Sequence, residues 1–355
     1  MNRVVNWFKH QFSNPQVLFL AFILLGLILA ISYAENTFAP VFAGVVIAYL
    51  LEGVIARMTD VGVPRYLAVW LVFLSFLIVL ASIVFGLLPI LYNQLSELVQ
   101  QIPAMLGRGQ ATLLTLPERY PDLISIEQVN EIIASLRAEL TSMGQALVTS
   151  SISGAVSMIT LMIYVILLPI LIFFFLMDKE RILEWISHML PEERELATTV
   201  WSDVDVQIAN YIRGKFWEIL IVWLVTLVTF SLLDLQYALL LSFLVGISVL
   251  IPYVGAAVVT IPVMLVAWFQ WGPTSEFVTV VVAYLIIQAL DGNLLVPLLF
   301  SEVVNIHPVA IIVAVLFFGG LWGIWGIFFA IPLATLVQAI IVAWPKGPEE
   351  KAAAS

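Results

Sequence analysis

The sequence carries a single carboxylate, Asp291, inside a long apolar stretch. Apolar residues flank it from Phe277 to Phe300, and the helix-breaking residues Gly292 and Pro297 lie close by. A carboxylate at membrane depth costs about 2.5–3.5 kcal/mol on insertion scales, so such residues usually face a cavity or a bundle interior. Interrupted backbone at that depth is tolerated only where protein or a water-filled cavity covers it. The pattern predicts an interrupted helix that carries a polar site within a membrane.

Three roles for this site fit the residue types. An Asp in a low-dielectric cavity is a candidate proton carrier, because burial disfavours its charged form. Asn293 and Gln288 offer amide oxygens for Na⁺ and hydrogen-bonding groups for a hydroxylated solute. The remaining interpretation is structural, with Asp291 and Asn293 acting as a polar cap for backbone groups at the helix break.

Composition indicates the class of protein that surrounds this site. The 355-residue chain is 62% hydrophobic and 11% charged, whereas a soluble domain is about half apolar and a quarter charged. We therefore predict an all-α polytopic membrane protein in contact with lipid. The net charge of −10 argues against a nucleic-acid partner.

Several kinds of chemistry lack the residues they need. The chain has no cysteine, and its three histidines, His10, His188 and His307, are too scattered for a zinc site. It contains neither a GxxxxGK[ST] phosphate-binding loop nor a GxSxG nucleophile motif. We therefore expect no cofactor, no metal and no enzymatic activity.

About eight apolar segments are expected to cross or enter the membrane. A cleaved signal peptide competes for the first, but its 18-residue apolar run exceeds a typical 7–15-residue signal core. The segments are 17–34, 37–56, 67–91, 152–177, 216–235, 237–269, 277–300 and 306–344.

The segments divide the chain into six regions. These are an N-terminal three-span region 1–91, an extracytoplasmic helical insertion 92–151, a fourth span 152–177, a cytoplasmic amphipathic segment 178–215, a C-terminal core 216–345 and a cytoplasmic tail 346–355. The insertion has apolar residues at helical spacing, which favours amphipathic helices outside the bilayer. It is expected to act as a cap or oligomer contact, or else to gate access to the site.

Two of the apolar segments, 237–269 and 306–344, are too long for one straight crossing. At 1.5 Å per residue they would extend about 50 and 58 Å, against a hydrocarbon core of ~30 Å. Each is therefore either a tilted, kinked helix or a re-entrant hairpin. Discontinuous segments in matching places indicate a transport site. The breakers are Pro252, Tyr253 and Gly255 in the first segment and Gly319, Gly320, Gly323 and Gly326 in the second.

Charged residues near the ends of the spans leave further alternatives open. Arg213 and Lys215 suit lipid headgroups, or form a salt bridge with Glu218 or an anionic gate. Glu52 lies near Arg57 on one predicted helix, which favours a local pair over an ion ligand. The spacing of Gly319 and Gly323 permits close helix packing or a hinge.

The distribution of basic residues predicts the orientation. With the N-terminus inside, eleven of the 14 Lys and Arg residues fall on cytoplasmic segments, and Arg108, Arg119 and Arg137 fall outside. Such an excess is typical of the cytoplasmic side. Both termini are therefore expected in the cytoplasm.

Several motifs in their order and spacing resemble the autoinducer-2 exporter family of bacterial permeases, also called PerM-like. Lys215 stands where the family motif has Gln, Asp291 stands where Glu is commoner, and Glu52 lies in a Leu-Glu-Gly triplet where Leu-Asn-Pro is expected. The motifs are Phe175–Arg181, Tyr211–Lys215, Ile251–Gly255, Asp291–Pro297, His307-Pro308, and Gly319–Gly326 before Ile331-Pro332.

The resemblance implies a multi-pass secondary transporter of the bacterial inner membrane. The family's name implies export of the quorum-sensing signal autoinducer-2, whereas some members look like Na⁺/H⁺ antiporters. We expect a homo-oligomer that moves a small solute by alternating access, coupled to H⁺ or Na⁺. The alternatives are a Na⁺/H⁺ antiporter and a non-transporting membrane scaffold working through residues 92–151.

Overall fold

A computed structural model describes residues 35–114, 154–188, 195–252, 254–300 and 307–343, and the single residues 127, 131, 134 and 135. These ranges are almost entirely helical and contain no strand, which confirms the predicted all-α class. Within them, six helices are long and apolar enough to cross a membrane. The predicted segment 17–34, nearly all of residues 115–153 and the tail 346–355 lie outside the described residues.

The helices are numbered here along the described chain. They are α1 Glu35–Asp60, α2 Arg65–Ser82, α3 Leu88–Leu114, α4 Gly154–Met177, α5 Lys179–His188, α6 Glu195–Leu232, α7 Ala238–Ser248, α8 Val254–Trp271, α9 Ser275–Leu290, α10 Val296–Phe300, α11 Pro308–Phe328 and α12 Ala330–Ala343. π-Helical turns at Ile83–Leu87 and Asp291–Leu295 join α2 to α3 and α9 to α10.

Helices α1, α2 and α4 form an N-terminal unit around an apolar cluster. The side chains of Ile55, Ala68 and Ile172 are fully buried there. This cluster contains no charged residue, as expected for helices that meet inside a membrane. The Tyr49 hydroxyl donates a hydrogen bond to the Asp205 carboxylate and so connects α1 to α6.

A charged network closes one end of this unit. Arg65 donates to both carboxylate oxygens of Glu52, at 2.9 and 3.2 Å, and to the Leu176 carbonyl at 3.1 Å. Lys179 adds a contact of 3.1 Å to the same carboxylate. The expected local pair between Glu52 and Arg57 is therefore wrong. Residues from α2 and α5 reach Glu52 instead, because α1 ends in a short turn that returns α2 beside it.

Helix α6 is the longest described helix, with 38 residues. It continues without interruption past the predicted boundary between residues 215 and 216. Its buried residues Val222 and Phe230 join a cluster with α7, α8 and α9. Helix α6 therefore forms the axis on which the C-terminal half is assembled.

The first long apolar segment, 237–269, folds back on itself as a helical hairpin, called hairpin A. Helix α7 has 11 residues, or about 16 Å, which is too short to span. At the open end, the Gln270 side chain accepts from the Gln236 N–H at 2.8 Å and donates to the Asp234 carbonyl at 2.7 Å. A single kinked helix would hold these residues far apart. Of the two interpretations of this segment, the hairpin is confirmed.

The reversal in hairpin A depends on close backbone contact at its tip, whose described residues are 249–252. A Cβ atom on Gly255 would lie 1.7 Å from the Ser248 carbonyl oxygen. The Ile251 N–H donates to that same carbonyl at 3.1 Å, and the Gly255 N–H donates to the Ile251 carbonyl at 2.9 Å. Gly255 therefore allows the second arm to start directly against the end of the first.

The second long segment, 306–344, contains a matching reversal, called hairpin B. The chain turns at Trp322 and at Gly323, whose φ of 54° and ψ of −133° lie outside helical values. Ala314 and Phe318 from the first arm pack against Ala330 from the second. The glycines therefore serve a turn and close contact between the two arms of one hairpin, and of the two interpretations of this segment the hairpin is confirmed.

The stretch around Asp291 is widened but not broken. The Val296 N–H bonds to the Asp291 carbonyl five residues back, and helical geometry continues on both sides. Proline has no N–H and crowds the carbonyl four residues earlier in an α-helix, so a π turn just before Pro297 relieves that conflict. The expected interruption of the helix at Gly292 and Pro297 is therefore wrong.

Helix α3, the start of the predicted insertion, reaches the open end of hairpin A. The Gln94 side chain accepts a hydrogen bond from the Leu240 N–H at 2.9 Å, and Leu98 packs against the cluster around α7 and α8. The insertion therefore begins as a continuation of the third predicted span and contacts the C-terminal core.

The close glycine contacts predict a difference between matched substitutions in hairpin B. A Cβ on Gly326 would lie 1.9 Å from the Phe318 carbonyl oxygen, whereas one on Gly320 would meet nothing within 4 Å. Gly326→Ala should lower the free energy of unfolding by about 1–3 kcal/mol, the usual range for overpacking. Gly320→Ala should leave it nearly unchanged. Melting temperatures of the purified variants in detergent test this. Equal melting temperatures would contradict the hairpin geometry.

Candidate functional site

A buried ion pair lies on α6 where hairpin A returns to it. The Lys215 ammonium is 2.6 Å from the Glu218 carboxylate, and the two side chains are only 5% and 3% exposed. Lys215 also donates to the Val249 carbonyl at 2.9 Å and lies 5.4 Å from the centre of the Phe300 ring. A lipid-anchoring role for Lys215 is therefore wrong, and the alternative salt bridge with Glu218 is confirmed.

Asp291 faces this pair from the π turn. Its carboxylate interacts electrostatically with both Lys215 and Glu218. One of its oxygens, Oδ1, is buried and has no hydrogen-bond partner within the described ranges. The Nε2 atom of Gln288, one turn earlier, is likewise buried, and the Gln288 side chain interacts with the Tyr284 hydroxyl. Lys215 and Glu218 therefore lie beside the polar groups that the sequence predicts at Asp291 and Gln288.

Polar side chains continue from this site along the contact between α6, α8 and α9. The Tyr284 hydroxyl lies 2.8 Å from that of Thr260 and 3.1 Å from the Ala256 carbonyl. On α6, the Thr226 hydroxyl is fully buried with no partner among the described residues. These polar groups therefore lie at helix contacts that are otherwise formed by apolar residues.

Hairpin B is attached to the same part of α6, one turn before the ion pair. The buried Tyr211 hydroxyl donates to the Phe328 carbonyl at 2.9 Å, and its ring packs on Phe300 and Phe328. A Cβ on Gly214 would lie 2.8 Å from the Phe300 ring, so glycine permits this approach. Residues 211–218 of α6 therefore contact hairpin A, hairpin B and α10.

Other predicted residues lie outside this arrangement. Asn293 is exposed and donates to the Ala289 carbonyl at 2.8 Å, as in the structural-cap interpretation. Arg213 is exposed and donates to the Ala209 carbonyl at 3.1 Å. Pro297 is exposed after the π turn, Glu52 belongs to the network with Arg65, and Tyr253 lies outside the described residues.

The predicted helix-breaking residues of the two long segments lie at or next to the turns of the two hairpins. Pro252 lies in the tip of hairpin A, where its carbonyl accepts from the Val254 N–H at 2.7 Å. Gly255 follows that tip. A Cβ on Gly319 would contact the Ile327 side chain at 2.8 Å, inside hairpin B. These residues shape the hairpins and do not themselves carry the charges.

Sequence reasoning missed two residues of the site. Tyr211 belongs to the motif Tyr211–Lys215 but has no predicted role, and Thr226 lies in an apolar stretch that gives no signal of its own. Tyr211, Lys215 and Glu218 are spaced by four and three residues, which places them on one helical face. That spacing, just before the apolar half of α6, is the signal that could have revealed them together.

Comparison with known proteins assigns the chain to a family. The model of the AI-2E family of transporters matches residues 17–346. The chain belongs to the AI-2E transporter family. The putative permease PerM of Escherichia coli K12 is 44% identical over 347 residues, which cover 98% of each chain. The match confirms the resemblance inferred from the motifs.

Relatives of lower identity carry similar names. The putative transport protein YueF of Bacillus subtilis is 29% identical, covering 88% of this chain and 85% of its own. The AI-2 transport protein TqsA of Escherichia coli K12 is 24% identical, covering 87% and 86%. The protein is thus a multi-pass membrane protein of a bacterial permease family with a general role in transport.

The attachment of hairpin B predicts the effect of losing one hydroxyl. Tyr211→Phe keeps the packed ring but leaves the Phe328 carbonyl without its donor, which should cost about 1–3 kcal/mol. The exposed Tyr66 offers the control Tyr66→Phe, which should be neutral. Thermal unfolding in detergent measures both. A Tyr211→Phe variant as stable as the control would show that this hydrogen bond does not hold the hairpin.

Proposed function

We propose that this protein exports a small polar solute across the bacterial inner membrane, coupled to an ion gradient. The proposed site is Asp291 together with Lys215, Glu218 and Gln288. The observation that carries the proposal is the unpartnered oxygen of Asp291 beside a buried ion pair, at the point where hairpin A meets α6.

The energetic cost of the site supports a functional role. A buried polar atom without a partner costs about 1–3 kcal/mol, and such atoms are rare in native proteins. Here Asp291 and Thr226 each contribute one within the described ranges. A structural scaffold gains nothing from keeping these groups unpaired, whereas a transporter needs groups that bind and release an ion or a solute.

The two hairpins supply the elements that alternating access requires. Each returns to α6, hairpin A by the hydrogen bond from Lys215 and hairpin B by that from Tyr211. Interrupted segments around a mid-membrane site are typical of secondary transporters. Because the tip of hairpin A is bound through the charged group itself, a change of charge at the site reaches the hairpin directly.

The first candidate for the solute is autoinducer-2. A relative at 24% identity is named an AI-2 transport protein, and the Gln288 amide and the unpartnered Thr226 hydroxyl suit a hydroxylated molecule. We further propose that the protein forms a homo-oligomer and that both termini lie in the cytoplasm. The distribution of basic residues supports the orientation. Export would then contribute to quorum sensing.

A Na⁺/H⁺ antiporter and a non-transporting scaffold remain as outcomes of the test. In proteoliposomes, solute export driven by an imposed pH gradient supports the proposal. Proton movement driven by Na⁺ alone would identify an antiporter. Absence of any flux across a panel of small polar solutes, with and without each gradient, would favour the scaffold.

A charge-removing substitution tests the role of Asp291. Asp291→Asn should abolish gradient-driven solute flux while leaving expression and melting temperature unchanged, because the amide keeps the size but cannot exchange a proton. Glu276→Gln is the matched control, since it makes the same chemical change at the exposed start of α9 and should retain flux. Wild-type flux in Asp291→Asn would eliminate Asp291 as the coupling group.

A further inference from the structure

The surroundings of the Lys215 ammonium resemble those of a bound metal cation. A carboxylate oxygen of Glu218 lies at 2.6 Å, the Val249 carbonyl oxygen at 2.9 Å, and the face of the Phe300 ring at 5.4 Å from its centre. Carboxylate and backbone carbonyl oxygens are also the usual ligands of hard cations. The carbonyl comes from the tip of a hairpin, where unwound backbone can coordinate Na⁺ in secondary transporters.

The site carries a net negative charge when its groups are ionised. Lys215 and Glu218 from α6 and Asp291 from the π turn sum to −1 when all three are ionised. Within the described ranges, hairpin A and α10 contribute a carbonyl and an aromatic ring to this cluster and no charged group. A single proton therefore neutralises the site, and a Na⁺ ion would meet a position that the ammonium already fills.

We propose that Lys215 is a built-in substitute for a coupling cation, so that this transporter works without Na⁺. The ammonium joins Glu218 to the tip of hairpin A, the connection that a bound Na⁺ would otherwise make. The exchangeable species is then one proton shared by Asp291 and Glu218. This inference rests on the proposed function and identifies Lys215 as the residue that sets ion specificity.

A gain of sodium dependence follows from this proposal. Lys215→Gln removes the ammonium and shortens the side chain, so that space opens between the Glu218 carboxylate and the Val249 carbonyl. The glutamine amide oxygen adds a third ligand. A free Na⁺ should bind in that space and restore the connection between α6 and hairpin A.

Thermal unfolding in sodium chloride and in N-methylglucamine chloride of equal ionic strength measures this gain without any transport substrate. Wild-type protein should melt at the same temperature in both salts. Lys215→Gln should melt roughly 3–6 °C higher in sodium, with saturation as sodium is raised. Arg181→Gln, which removes a positive charge from a side chain that is 87% exposed, should show no difference.

A second variant separates a cation site from simple charge neutralisation. Lys215→Gln combined with Glu218→Gln removes both the cation and its carboxylate ligand, so sodium should no longer stabilise it. If Lys215→Gln is unstable in both salts while the double variant is stable, Lys215 only neutralises Glu218 and the proposal fails. Failure of both variants to fold in either salt also contradicts it, because a cation-shaped site should accept a free cation.

Flux measurements distinguish failure of this inference from failure of the proposed function. A wild-type protein whose solute flux requires Na⁺ remains a transporter, but Lys215 is then no substitute for the coupling ion. Sodium-dependent stability of Lys215→Gln in a protein without flux supports the cation site and overturns the transport proposal. Sodium-independent wild-type flux with sodium-dependent flux in Lys215→Gln supports both.

Discussion

The buried ion pair between Lys215 and Glu218 is the interaction on which the C-terminal half depends. Removing charges from water costs several kcal/mol for each ion unless their mutual attraction and further hydrogen bonds offset it. The Lys215 ammonium has a second partner besides Glu218, the Val249 carbonyl at the tip of hairpin A. The position of the hairpin and the solvation of the pair are therefore a single physical requirement.

The two hairpins solve the same problem with the same backbone device. In each, a glycine of the returning chain lies against a carbonyl seven or eight residues earlier, Gly255 against Ser248 and Gly326 against Phe318. Each hairpin is then attached to α6 through one backbone carbonyl, and the two attachment points are one helical turn apart. Both hairpins therefore contact residues 211–218 of α6, close to Asp291.

The sequence was sufficient for the helical class, the family and the polar stretch at Asp291, because apolar run length and a lone buried carboxylate are local signals. It could not decide between kinked helices and hairpins. That outcome depends on Gly255 meeting Ser248 and on Gln270 reaching Gln236, which are contacts between two arms. The length of the apolar run shows only that the segment is too long for one straight crossing.

The partners of charged residues are also hard to predict from the sequence, because they depend on contacts between helices. Glu52 was assigned to a neighbour on its own helix, but α2 and α5 supply nearer basic groups. The expected break at Asp291 became a π turn, because widening the helix accommodates Pro297 while keeping most backbone hydrogen bonds. For Glu52, nearby helices determined which of the locally allowed partners was used, whereas at Asp291 the proline of the same helix determined the turn.

The most direct test of this account is a cross-link at the open end of hairpin A. The chain has no cysteine, so Gln236→Cys and Gln270→Cys can be introduced together without interference. The hairpin predicts a disulfide between them in native membranes under mild oxidation, and none when either cysteine is present alone. A single kinked helix would separate these positions by about 50 Å at full length. Absence of the cross-link in a folded double variant would contradict the account, since Val249 could not then return to Lys215.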